Sequence, residues 1–105
     1  MATATNKVCA TGPSPVFHKD TDATLDYIWD WSDWLGDDND ILATSVFISS
    51  APTILEIEME AFNDTTATVW LSGGEPYTEY LVTNRVHTMG GRTEDRTARI
   101  FCISR

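Results

Sequence analysis

The stretch Thr24-Leu25-Asp26-Tyr27-Ile28-Trp29-Asp30-Trp31-Ser32 decides the fold. Tyr27, Trp29 and Trp31 recur at period two, and Asp26, Asp30 and Ser32 alternate with them; Ile28 is the exception. Alternation with aromatic enrichment belongs to a half-buried strand, not to a helix of period 3.6. Residues 16–18 form a short strand ahead of it. Residues 33–40 hold Gly36, Asn39 and four Asp and read as a loop. Residues 41–49 are rich in β-branched side chains and form a second long strand, broken at Ala51-Pro52.

Residues 54–62 carry two patterns. Leu55, Ile57, Met59 and Ala61 alternate with Glu56, Glu58 and Glu60, as in a strand, while Leu55, Met59 and Phe62 also fit helical spacing. The neighbours are strands and no helix cap precedes a helix-length run, so a strand is expected, with Asn63-Asp64 as the turn. In the next strand Ala67, Val69 and Leu71 share one face, with Thr66, Thr68 and Trp70 opposite, until Gly73-Gly74 ends it. Tyr80, Val82, Asn84, Val86 and Thr88 then alternate with Leu81, Thr83, Arg85 and His87. The short turn at Met89-Gly90-Gly91 predicts a hairpin with the last strand.

About seven strands without a helix predict an all-β, antiparallel, immunoglobulin-like β-sandwich over residues 15–105. Tyr80 opens the penultimate strand, the place of a tyrosine corner. The expected core anchors are Tyr27, Trp29, Trp31, Trp70 and Tyr80. Residues 1–14 read as an extended, flexible or partner-ordered arm, because Val8 is its one bulky apolar residue.

The 105 residues carry a formal charge of −9, and 42% are hydrophobic, a globular share for one domain. Residues 1–64 hold twelve acidic and two basic side chains, while residues 65–105 hold four acidic side chains and five Arg. An acidic chain is a poor phosphate-backbone binder, so nucleic acid is not an expected partner. No run of 18 apolar residues predicts a membrane span, and no secretory leader is readable. The charge split motivates a head-to-tail contact between copies, in which loop 33–40 of one meets Arg92 and Arg96 of the next. Trp34, beyond the long strand, is the expected exposed anchor, joined by Asp37, Asp38 and Asp40 and by Arg92 and Arg96.

Chemistry finds little footing. His18 lies by the arm and His87 in mid-strand. Ser72 lacks the Gly-x-Ser-x-Gly elbow, and Gly90-Gly91-Arg92 lacks a phosphate loop. Asp33, Asp37, Asp38, Asn39 and Asp40 fail the EF-hand spacing, and Cys9 and Cys102 read as free thiols. No catalytic residue, metal or cofactor is expected. A carbohydrate-binding module is an alternative, but it would need Trp29 or Trp31 exposed. A capsid decoration protein would share the same composition.

Several blocks together resemble the phage fiber-tail adaptor family. They are Lys19-Asp20-Thr21-Asp22-Ala23-Thr24-Leu25-Asp26-Tyr27, Asp30-Trp31-Ser32-Asp33-Trp34-Leu35, Asp40-Ile41, Val69-Trp70-Leu71-Ser72-Gly73-Gly74, Tyr80-Leu81-Val82-Thr83-Asn84 and Gly91-Arg92-Thr93-Glu94-Asp95-Arg96. Their order and spacing cover roughly residues 17–105. The family pattern often has Pro where Thr21 stands. The resemblance implies a non-enzymatic virion protein of a tailed bacteriophage, made in the host cytoplasm. It implies a place on the tail, joining fibers or spikes to the tail body beside neighbouring copies.

Overall fold

The computed structural model describes residues 6–9, 11–12, 14–36, 40–50 and 55–103. Among the described residues eight strands are formed: β1 Asn6–Cys9, β2 Val16–Asp20, β3 Leu25–Asp30, β4 Leu42–Ser50, β5 Leu55–Phe62, β6 Thr66–Gly73, β7 Thr78–Thr88 and β8 Thr93–Ile103. A single helical turn, α1 Ser32–Leu35, follows β3. The first sheet has the order β1-β3-β6-β5 and the second β2-β8-β7-β4. Together they make the immunoglobulin-like sandwich.

The sheets are not wholly antiparallel. β1 runs parallel to β3, and β2 parallel to β8. The chain leaves β1 for β2 in the other sheet before it reaches β3, so no tight turn imposes an antiparallel neighbour. For residues 6–9 the expected arm is corrected by the same contact. Asn6–Cys9 completes the edge of the first sheet, and Val8 is fully buried. One apolar side chain suffices there, because the ladder to β3 satisfies the backbone groups.

The two sheets meet over a core in which Tyr27, Trp29, Trp31, Tyr80, Val82 and Ile100 are fully buried. Trp31 lies one residue past the end of β3, where its amide donates to the Thr65 carbonyl at 2.9 Å. The Tyr80 hydroxyl accepts from the Glu75 amide at 2.8 Å, the bond of a tyrosine corner. Polar staples cross between the sheets or their extensions. The Trp29 indole donates to the Arg96 carbonyl at 2.9 Å, and the Trp31 indole to Asn84 Oδ1 at 2.8 Å. Buried Lys19 on β2 donates to the Gly73 carbonyl on β6 at 2.7 Å, and burial lowers its pKa.

Trp70 is corrected from core to surface, with 38% of its area exposed. β6 buries Ala67, Val69 and Leu71, and strand alternation turns Trp70 outward with Thr68. Its neighbour on β5 is Met59, 61% exposed. The alternating run in β5 therefore does not keep one face. A bulge leaves Glu58 without a register partner between Ile57 opposite Leu71 and Met59 opposite Trp70. The extra residue reverses which side chains point inward.

Candidate functional site

Of the expected interface residues, Trp34, Asp40 and Arg92 converge at one end of the sandwich. Asp30 Oδ1 accepts from the Ser32 amide and hydroxyl at 3.0 and 2.7 Å. This Asx turn starts α1 directly after β3. α1 places Trp34 edge-on against Trp31, ring centroids 5.2 Å apart. The Arg92 guanidinium covers Trp34 at 4.5 Å from its centroid. Trp34 is thus half-buried between an indole and a cation, a correction to the exposed anchor.

Arg92 also closes the loop that follows. Its Nε lies 3.1 Å from Asp40 Oδ2, and its terminal nitrogens donate to the carbonyls of Trp34 and Leu35 at 3.4 and 3.2 Å. Asp40 Oδ1 accepts from the amides of Gly90 at 2.8 Å and Ile41 at 3.0 Å. A side-chain carbon on Gly90 would sit 2.9 Å from that carboxylate, so the approach needs glycine. Asp40 and Arg92 therefore meet inside one chain. Arg96 likewise donates to the Cys9 carbonyl at 3.0 Å and to the Gly12 carbonyl. Asp40, Arg92 and Arg96, expected to pair between copies, already brace β1, α1 and the β7–β8 hairpin. Asp37 and Asp38 lie outside the described residues.

Burial pushes the Asp40 carboxyl up, but hydrogen bonds from Thr88, Gly90, Arg92 and Ile41 hold it below its ordinary value. Asp30 behaves alike: burial raises it, while Ser32 and Lys7, at 3.1 Å, outweigh that. The Arg85 guanidinium lowers Asp95 from 2.8 and 2.9 Å. A carboxyl whose folded pKa lies below its unfolded 3.8 binds fewer protons when folded. The stability it supplies is complete above the unfolded value and is lost as pH falls through the folded one. Melting temperature is expected to hold down to about pH 5 and then decline. Asp40→Asn should lower melting at neutral pH and converge on wild type in acid. Parallel curves for the two proteins from neutral to strongly acid pH would refute this.

A shallow depression on the outer side of the last hairpin is lined by Arg85, His87, Thr93, Glu94 and Asp95. Arg85 is spent on Asp95, and His87 Nδ1 shares a 2.7 Å hydrogen bond with Thr93. Among the described residues no cluster of His, Cys, Asp and Glu is placed to hold a metal. Trp29 and Trp31 have no exposed area and donate into the core, so neither offers a ring to a sugar. Cys9 is exposed and Cys102 buried, both free thiols.

Sequence reading missed the surface pair Trp70 and Met59. The signal was present for Trp70, since it alternates with the buried Val69 and Leu71. It also missed how the charge divides. The strands of the first sheet carry Asp26, Asp30, Glu56, Glu58 and Glu60 against Lys7 alone. Those of the second sheet carry four acidic and four basic side chains.

Fold and surfaces together define an immunoglobulin-like β-sandwich with one braced end and two faces of unequal charge. A solved structure shares this fold: the solution structure of the PKD domain from KIAA 1837 protein, 15% identical. It matches 99% of this chain and 92% of that chain with a TM-score of 0.53. No curated protein matches the chain. The model of the family described as podophage GP4 fiber-tail adaptor protein gp77 matches residues 19–101. The chain belongs to that family and is a structural protein of the phage tail. The resemblance read from the sequence blocks is borne out.

Proposed function

We propose that the protein is a non-enzymatic connector joining a fiber or spike to the tail body, with several copies set around a symmetric tail. The observation that carries this is the reach of the family match. Residues 19–101 run from β2 to β8, so the matched unit is the sandwich itself. The staples from Trp29, Trp31 and Lys19 support a rigid spacer, since each fixes groups on opposite sides of the core. At the braced end Arg92 holds α1 against the hairpin, leaving Met89, 71% exposed, at the tip for contacts.

Phage particles produced without this protein are expected to assemble tails that lack fibers. Adding the purified protein and free fibers should restore attachment, read by electron microscopy. Particles that keep their fibers without it would overturn the connector reading.

A further inference from the structure

We propose that the outward face of the first sheet, centred on Trp70 and Met59, docks a partner protein whose surface is rich in Lys and Arg. The inference deepens the connector reading and rests on it for the partner being another tail protein.

Three observations carry it. Trp70 and Met59 are cross-strand neighbours on β6 and β5, and both are exposed where a polar pair would serve an isolated sheet. An exposed Trp beside Met on a flat face is the composition of an interface centre. Second, carboxylates surround that centre. Asp26 lies opposite Trp70 on β3, Glu56 lies opposite Ser72, and Glu58 accepts from the Ser72 hydroxyl. Third, the outward positions of this sheet hold Asp26, Asp30, Glu56 and Glu58 against Lys7 alone.

Charge decides the occupant. A second copy docking through the same face would set carboxylates against carboxylates. A second copy docking through its other sheet would present strands with no net charge, hence no complementary field. A basic, apolar-centred surface satisfies both features: its cations meet the acidic rim, and a guanidinium can lie over Trp70. The chain already makes that contact once, with Arg92 over Trp34.

The test measures binding of the purified protein to two immobilised probes, fiberless tails and free fibers of the same phage, at low and high salt. Wild type should hold at least one probe, more weakly as salt rises. Trp70→Thr combined with Met59→Thr should weaken binding by roughly tenfold or more. Glu56→Gln with Glu58→Gln should weaken it at low salt and flatten the salt dependence. Both pairs lie on an outer face, and their melting is checked first. The glutamine pair stands alone if the threonine pair misfolds. Variants that bind as wild type at every salt would overturn the docking face and leave the connector reading standing. Wild type that holds neither probe would overturn both. Trp fluorescence quenched by host surface polysaccharide, with tail binding untouched by the variants, would replace the protein partner with a sugar.

Discussion

Trp31→Ala is expected to lower the unfolding free energy by about 3–5 kcal/mol. A small domain has only about 5–15 kcal/mol to lose. Trp31 has no exposed area, and its removal leaves a large gap in the core beneath α1. It also orphans Asn84 Oδ1, which accepts the indole N–H at 2.8 Å. Asn84 in turn donates to Ser45 Oγ at 2.8 Å and the Val46 carbonyl at 3.0 Å, so the loss spreads into β4. Trp34 loses the ring it packs against, and with it the seat beneath Arg92. Denaturant unfolding checks the magnitude. Trp31→Phe should restore the packing and not the hydrogen bond, recovering part of the loss. A Trp31→Ala protein within about 1 kcal/mol of wild type would mean that the core closes around the gap, contrary to the packing described.

Gly74→Ala is the second large effect, expected at about 2–4 kcal/mol. Gly74 has φ +99, and a carbon added there would lie 2.5 Å from the Sγ of buried Cys102. Backbone strain and steric overlap are therefore separable. Cys102→Ala should recover the steric part in a Gly74→Ala background and leave the strain. The comparison is a double-mutant cycle by thermal or denaturant unfolding. Strictly additive effects of the two substitutions would show that the overlap is absorbed elsewhere. Conversely, a recovery larger than the original loss would point to strain already present around Cys102.

Much of the sandwich was legible in the chain because alternation is local. Tyr27 and Trp29 sit on one side of β3 for the simple reason that successive strand side chains point in opposite directions. The same logic produced the hairpin of β7 and β8, whose connection is short and Gly-rich. Reading failed where a long-range partner outvotes local pattern. β1 is a strand because β3 offers it a ladder, and nothing in Asn6–Cys9 announces that. Met59 faces outward because a bulge at Glu58 shifts the register, although the sequence alternates without a break. Trp70 differs: its alternation with Val69 and Leu71 already turns it outward, against the expectation of a core anchor.

The site residues divide in the same way. Trp34, Asp40, Arg92 and Arg96 are legible in the sequence as loop and hairpin residues with interface chemistry. Proximity changed what that chemistry is occupied with, since Arg92 closes on Asp40 and Trp34 across more than fifty residues of chain.

The sequence by itself determined an all-β domain of the fiber-tail adaptor family with an acidic first part and a more basic last part. The all-β class and the charge split follow from nearest-neighbour periodicity and composition, which need no knowledge of packing, and the family follows from the ordered sequence blocks. Only the tertiary structure decided where that charge goes. It draws Asp40 and Arg92 together at one end and leaves the first sheet acidic around an exposed Trp70. The physical reason is strand order: β3, β5 and β6 become neighbours only when the sheet closes, and a face of carboxylates exists only once they do.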